Sequence, residues 1–406
     1  MTNPIYDPYQ VLLPVYADGT HLKQALLAPI EEANRAKTVK VVYGVLEQDG
    51  YLSHCIRTFA PKAPKLPVRV ILKIALYLTL FMGKQTYMVT DQAVSLCKKL
   101  GKGGVSGFVN SFLRNFDESK VVLPEGDEGL SVKYGYPLFL IKKLKAQYGD
   151  RTESILSARS QGVTVRFVRG EEEYLAKEHI DTPFEKTYIF RNFARDERFD
   201  EGDYTFQSVG SIAIANIVPP CETMLDACAA PGGKSVLLAS KCKNVTSFEL
   251  YEHRLALIRS YAERMGVKLN ALRQDSSVFD PNYRNKFDGI LCDVPCSGVG
   301  TIAENPDLKL RKTEEQLREL RAVQLGILSN VVNYLKEGGT IVYSTCSVLR
   351  EENDDIIEAF LKEHNFHAEK IDSPLAHEKT KYGLQFLPDT AYGAGFYVCR
   401  LAYGKD

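Results

Sequence analysis

The 406-residue chain has no net charge, because 51 Lys and Arg oppose 51 Asp and Glu. That balance excludes a uniformly basic nucleic-acid coat, although only on average. Residues 1–125 hold 15 Lys and Arg against 10 Asp and Glu, so this part is basic and the remainder acidic. A membrane-length apolar run is also lacking. The longest, Val68 to Met82, is interrupted by Arg69 and Lys73 and is too short to span a bilayer. Met1 to Asp7 has no basic start and no apolar stretch, so no signal peptide is expected. The nine cysteines show no small-scaffold spacing, which fits a reducing, cytoplasmic setting. Cys292 and Cys296 lie close together, but no second Cys or His pair stands at zinc-ligand spacing; no metal is expected. Internal repeats and low-complexity tracts are absent. With 45% apolar residues, the chain can bury a sizeable core in about two or three domains.

What is present begins with helices. His21–Ala36 places Leu22, Leu26, Ile30 and Ala33 near one face, and Thr38–Phe59 carries Val42, Val45, Leu46, Leu52 and Ile56. Pro67 suits a first helical turn and opens Val68–Met82, which is apolar almost all round and so belongs at the centre of a bundle. Thr86–Leu100 ends in Lys98, Lys99 and Gly101, and Gly104–Phe116 closes the set. Residues 117–133 read as a loop. A helix over Pro137–Gly149 and a strand over Val163–Val168 suggest a small α+β insert. The expected domains are therefore 1–125, all-α; 126–195, linker and α+β; and 196–406, α/β.

From about residue 200, strands and helices alternate, as in one doubly wound sheet with its site at the carboxyl ends of the strands. Leu225-Asp226 ends a strand. Cys228, Ala229, Ala230, Pro231, Gly232 and Gly233 form a small-residue turn, and Lys234-Ser235 starts a helix. Such a turn lets backbone approach a nucleoside-like ligand, although an ordinary βα turn would look the same. It has neither dinucleotide-binding nor P-loop spacing. Further strands end near Glu249, Asp275 and Asp293, and a capping box at Thr313-x-x-Gln316 opens a long helix expected to end at Gly338-Gly339. Glu249 follows Asp226 by 23 positions, near the spacing at which a carboxylate accepts from a ribose hydroxyl. A ribose without polyphosphate fits S-adenosylmethionine. In that reading Glu249 holds the ribose, Asp275 the adenine amine, and Asp293 lies toward the sulfonium. Arg254, early in the helix after Glu249, joins the candidate cofactor set.

Two cysteines end strands facing the same place: Cys296 in Asp293-Val294-Pro295-Cys296-Ser297-Gly298, and Cys346 in Ser344-Thr345-Cys346-Ser347. A buried cysteine is usually inert. Two at neighbouring strand ends suit a reaction that needs a thiolate. Carbon 5 of a pyrimidine becomes nucleophilic once a thiolate has added to carbon 6. Either cysteine could supply that thiolate on chemistry alone.

These stretches, with Asp226 to Lys234, Asn305-Pro306-Asp307 and Glu351-Glu352-Asn353, resemble the Nop2/Sun family of RNA cytosine-C5 methyltransferases over about residues 150–406. The front resembles the NusB-type RNA-binding domain in Leu66-Pro67-Val68, Ile71 to Tyr77, Asp91 to Lys98 and Gly107 to Arg114. Together they look like the bacterial Sun/Fmu type, which methylates a cytidine of 16S ribosomal RNA. The fold implied is a Rossmann-like class I methyltransferase domain behind an all-α NusB-like domain and a small α+β insert. The resemblance implies Cys346 as nucleophile and Cys296, with Pro295, as the residue that releases the adduct. Asp293 and Lys234 would position base and methyl donor. The implied partner is RNA, most simply 16S rRNA, bound by a monomer with neither DNA nor membrane. Candidate RNA contacts are Arg57, Lys62, Lys65, Lys98, Lys99 and Lys102, with Arg166, Arg169, Arg191 and Arg195 further on.

Three positions depart from the family pattern. Ser208 follows Gln207 where the family usually has Asp. Ala303-Glu304 replaces a common Arg, and Ala394-Gly395-Phe396-Tyr397 stands for Asp-Gly-Phe-Phe. They keep open a different target, in tRNA or elsewhere in rRNA, and a catalytically silent assembly factor that retains the fold. A DNA methyltransferase is disfavoured by the Thr345-Cys346 motif and the front domain.

Overall fold

The computed structural model describes residues 3–404. Met1 and Thr2, part of the stretch read for a signal peptide, lie outside the described residues, as do Lys405 and Asp406. The chain forms two units. One runs to Leu156 and takes in Asn305–Thr313; the other comprises Ser157–Glu304 and the chain from Glu314 onward. The divisions expected near 125 and 195 thus fall elsewhere. The helices of the expected α+β segment group with the first unit and its strands with the second.

The first unit is helical: α1 (Tyr6–Ala17), α2 (Leu22–Ala25), α3 (Glu32–Glu47), α4 (Asp49–Phe59), α5 (Leu66–Leu80), α6 (Thr86–Lys99), α7 (Ser106–Asn115), α8 (Gly126–Tyr134), α9 (Leu138–Tyr148) and α10 (Thr152–Ser157). The apolar α5 is central, with Val70, Ile71, Leu72, Ile74 and Ala75 fully buried. Its Lys73 is buried too, paired with Asp49, which also accepts from Tyr16 Oη at 2.5 Å. The helix expected over His21–Ala36 is two pieces. Pro29 lacks an N–H and restricts Ala28, so α2 stops before it and α3 starts after it. The helix expected over Thr38–Phe59 breaks at Gln48 (φ −93°, ψ 12°). Two residues on, a Cβ on Gly50 would lie 2.7 Å from Gly135 Cα, so the backbones meet closely there. α1 falls in the stretch expected to be all-α, although no helix bounds were read for it. α8 lies in the stretch read as a loop, because Pro124, Gly126 and Asp127 serve a helix start as well as a turn.

In the second unit, β1 (Val163–Phe167), β2 (His179–Asp181), β3 (Thr187–Phe190) and β4 (Tyr204–Phe206) form an antiparallel sheet in the order β2-β3-β1-β4, with α11 (Glu197–Asp200) before β4. Then follow α12 (Val209–Ile217), β5 (Thr223–Asp226), α13 (Gly233–Leu238), β6 (Asn244–Glu249), α14 (Glu252–Arg264), β7 (Asn270–Arg273), β8 (Phe287–Asp293), α15 (Glu314–Val331), β9 (Leu335–Thr345) and α16 (Asp354–Glu363). β10 (Phe366–Glu369), β11 (Glu378–Lys379), β12 (Leu384–Phe386) and β13 (Phe396–Tyr403) complete it. The large sheet runs β11-β12-β13-β9-β8-β5-β6-β7, with β10 on β13. β9, β8, β5, β6 and β7 are parallel; β10 to β13 pair antiparallel.

The parallel strands are covered on both faces, so successive residues are buried on alternate sides. Leu225, Ile290 and Ile341 pack with Ile327, Leu328 and Val331 of α15 and with Ile357 and Phe360 of α16. Met224, Leu291 and Val342 pack with Ile212 and Ile214 of α12. The helix expected to run to Gly338-Gly339 ends at Val331 instead. Gly338 (φ 76°) and Gly339 sit inside β9, where its register on β8 shifts between Phe287 and Gly289. The strand order reverses between β5 and β8, which places a ligand crevice at their carboxyl ends.

Candidate active site

The glycine turn follows β5. Gly232 adopts φ 108°, a conformation that side chains rarely take, and the Ala230–Pro231 peptide is cis. Asp226 at the end of β5 is buried. Its Oδ2 accepts from Ser235 Oγ at 2.6 Å, while Oδ1 has no hydrogen-bond partner. Burial pushes its carboxyl up to about 6. Gln207, just after β4, donates to Gly233 O at 3.0 Å and so braces the turn. Glu249, buried at the end of β6, accepts from Tyr251 N–H at 3.0 Å. Arg254 ties turn and acid together: Nη2 donates to Ala230 O at 3.4 Å, and Nη1 lies 3.5 Å from Glu249 Oε1. Asp275 Oδ1, after β7, accepts from Ser277 N–H at 2.9 Å and Oγ at 2.6 Å. Acceptor carboxylates at three neighbouring strand ends, one with a bare buried oxygen, fit a ligand rich in hydroxyl and amine donors. That is the chemistry of the adenosine part of S-adenosylmethionine.

Lys234 and Asp293 join the turn to β8 through a 2.7 Å ion pair, Nζ to Oδ2. Burial works against the Lys234 charge, but Asp293 outweighs it and raises the ammonium above its ordinary value. Asp293 Oδ1 accepts from Ser344 Oγ of β9 at 2.7 Å. Beyond these strand ends the two thiols meet. Cys296 Sγ and Cys346 Sγ are 3.0 Å apart, and Cys346 N–H donates to Cys296 Sγ at 3.3 Å. A hydrogen bond from Cys296 and the nearby Lys234 hold the Cys346 thiol below its ordinary range, against burial and Asp293. Cys296, which gives that hydrogen bond and is desolvated beside Cys346, is pushed well up. Within the pair Cys346 is thus the more acidic thiol and Cys296 the less acidic one.

Residues 217–402 match the family of 16S rRNA methyltransferases RsmB/F, and residues 10–118 match the NusB family. A curated relative from Bacillus subtilis, a probable ribosomal RNA small subunit methyltransferase B, is 30% identical and covers 92% of this chain and 91% of its own. The chain belongs to the RsmB/F family. It is an S-adenosylmethionine-dependent RNA methyltransferase. The Proteus mirabilis ribosomal RNA small subunit methyltransferase B is 29% identical over 91% of this chain and 90% of its own. Among solved structures, PH0851 superposes with a TM-score of 0.85 at 23% identity over 99% of both chains. Pyrococcus horikoshii NSun6, solved with SFG, superposes with a TM-score of 0.57 at 18% identity, covering 65% of this chain and 97% of its own.

Against this family frame, the basic residues separate. In the helical unit Lys62, Lys65 and Lys102 line one cavity of about 590 Å³ with Val68, Val105 and Phe108. Arg57 instead lines a second of about 610 Å³, with Arg69, Lys73 and Arg311. Lys99 lies over the Tyr6 ring, 4.0 Å from its centroid, and Lys98 lines neither cavity. In the other unit the arginines are engaged. Arg166 donates to Gln207 at 3.0 Å, Arg169 pairs with Asp203 at 2.5 Å, Arg191 with Glu178 at 3.7 Å, and Arg195 with Asp200. All four have partners within the unit, and Arg169, Arg191 and Arg195 are also exposed.

The Asn305-Pro306-Asp307 stretch packs in the helical unit. Asp307 accepts from Leu22 N–H at 3.2 Å, Lys309 donates to Glu47 O and Tyr134 O at 2.9 Å, and Arg311 donates to Val15 O at 3.0 Å. Of the departures, Ser208 caps α12, accepting from Ser211 N–H at 3.2 Å, and Ala394 is buried. Nothing in the structure explains Ala303-Glu304. No helix is long and apolar enough to cross a membrane, and no group of three or more His, Cys, Asp or Glu could hold a metal ion, among the described residues. Residue-by-residue reading missed Gln207, Ser235, Ser297, Gln324, Ser344 and Ser347. All are ordinary polar residues whose importance comes from burial and partners.

Proposed function

We propose that the protein methylates carbon 5 of a cytidine in 16S rRNA through a covalent bond between Cys346 and carbon 6. The observation that carries this reading is where the 3.0 Å contact of Cys296 with Cys346 lies: just after the carboxyl ends of β8 and β9, beside the Lys234–Asp293 pair. The Cys346 thiolate adds to carbon 6, the base is activated at carbon 5, and the thiolate is later eliminated once the carbon-5 proton has left. S-adenosylmethionine, when bound, supplies the methyl group. Glu249 and Asp275 would hold its ribose and adenine, and the glycine turn would receive its amino-acid part. Asp293 and Lys234 orient base and donor, and Cys296 with Pro295 assists release of Cys346. The target base must leave its stack to reach the thiolate, so an unpaired or splayed cytidine is the substrate. The NusB-like unit, with its lysine-rimmed cavity, holds the surrounding RNA in the cytoplasm.

Unmodified 16S rRNA, labelled methyl donor and mapping of the modified base test this directly. Label at cytosine carbon 5 is expected. Label elsewhere, or none in cytosine, overturns the reading.

A further inference from the structure

Glu352 is completely buried in the second unit and belongs to neither the cofactor set nor the cysteine pair. Its carboxylate meets three chain segments. Oε1 accepts from Ser297 N–H at 2.8 Å and from Gln324 Nε2 of α15 at 3.0 Å. Oε2 accepts from Ser297 Oγ and Ser347 Oγ, both at 2.5 Å. The serine oxygens accept in turn from Val299 N–H at 3.3 Å and Leu349 N–H at 3.1 Å, which leaves their protons for Glu352. Only an acceptor with two oxygens satisfies this donor set.

Ser297 and Ser347 are the residues after Cys296 and Cys346. The residues before them are held as well. Gln324 Nε2 also donates to Pro295 O at 3.0 Å, and Thr345 Oγ1 donates to Asn353 Oδ1 at 2.6 Å. Both cysteines, 50 positions apart in sequence, are therefore bracketed by one buried polar cluster with Glu352 at its junction.

We propose that Glu352 is a positioning residue that clamps the loops after β8 and β9 and thereby holds the thiols of Cys296 and Cys346 in contact. This rests on the cysteine roles given above for its effect on turnover, but not for its effect on thiol proximity. Proximity can be read without RNA. Diamide, a diazene, takes two hydrogens from a pair of adjacent thiols and becomes the hydrazine, leaving a disulfide. The full-length protein carries an internal control. Cys221 and Cys242 lie 3.4 Å apart in the same unit and make no contact with Glu352.

Limiting diamide followed by peptide mapping gives the ratio of the Cys296–Cys346 to the Cys221–Cys242 disulfide. Glu352→Ala is expected to lower that ratio about 10-fold and kcat about 100-fold, with the KM for S-adenosylmethionine changed less than about 2-fold. Glu352→Gln keeps one acceptor oxygen, and Ser347→Ala removes one of the four bonds. Each should fall between wild type and the alanine variant, which keeps the test alive should Glu352→Ala not fold. Glu352→Gln also removes a negative charge that faces both thiols. Lys234 and Asp293 face Cys346 as well and remain unchanged. The limb over which its adduct formation rises with pH, set by thiol deprotonation, should therefore move to lower pH, a shift that a merely structural role does not produce. A wild-type ratio and kcat in Glu352→Ala, or in Glu352→Gln with an unmoved pH limb, overturns the clamp. Wild-type protein that leaves cytosine unmethylated while the ratio responds as stated overturns the proposed function and not the clamp.

Discussion

The second unit contains two cysteine pairs of nearly the same geometry, Cys296–Cys346 at 3.0 Å and Cys221–Cys242 at 3.4 Å. In each pair a hydrogen bond between the sulfurs drives one thiol down and the other up; Cys242 is held at about 6. Thiol proximity and acidity therefore do not identify a reaction site. The pairs differ in what surrounds them and in which end of the sheet they occupy. Cys221 precedes β5 and Cys242 precedes β6, at the amino ends of parallel strands, against Met224 and Pro219 O. Cys296 and Cys346 follow β8 and β9, at the carboxyl ends, beside Lys234, Asp293 and the glycine turn. In open α/β sheets ligands bind at the carboxyl ends of the strands, which is the end where Cys296 and Cys346 lie.

That contrast is sharpest in activity. Cys346→Ala should lower methyl transfer by about 1,000-fold or more, while Cys242→Ala leaves it within about 2-fold, both read as label incorporated into RNA. A comparable loss from both variants would erase the distinction. Next in size, Lys234→Met should slow adduct formation about 100-fold. It should also move the rising limb of the pH profile to higher pH, because the ammonium favours the Cys346 thiolate. A stopped-flow pH series checks that sign.

Asp226 gives an intermediate effect on stability. Its carboxyl is raised to about 6 by burial, from an ordinary value of 3.8, so the native state binds the proton more tightly than the unfolded chain. The stabilisation is present below pH 3.8 and is lost as pH rises through 6. Relative to wild type, Asp226→Asn should therefore gain about 2–3 kcal/mol between pH 4 and pH 8, read from denaturant midpoints at both pH values. The smallest effect belongs to the inert pair. Cys242→Ala removes a buried sulfur and should cost about 1 kcal/mol in the same assay.

The strand-end acids were legible in the sequence because each closes an apolar run before a turn, as at Asp226, Glu249 and Asp293. The central α5 was legible for a related reason: its apolar residues leave no polar face. That Cys296 and Cys346 end strands facing one place was legible from the strand pattern; that their sulfurs touch was not, since local pattern says nothing about residues 50 positions apart meeting across β8 and β9. Gln324, Ser297 and Ser347 were silent, because polar residues declare a role only once buried with partners. Boundaries failed where one residue outweighed a period: Pro29 between α2 and α3, Gln48 between α3 and α4, and the glycines of β9 that resemble a helix stop. The partners of Arg166, Arg169, Arg191 and Arg195 (Gln207, Asp203, Glu178 and Asp200) were not legible either, because no local pattern pairs them.

The division of labour between the two reactive cysteines is most directly tested by denaturing electrophoresis of Cys296→Ala and Cys346→Ala after incubation with S-adenosylmethionine and unmodified 16S rRNA. A protein–RNA adduct that survives denaturation should accumulate with Cys296→Ala and be absent with Cys346→Ala. An adduct trapped by Cys346→Ala, or methylation persisting in it, would contradict the assignment of Cys346 as nucleophile.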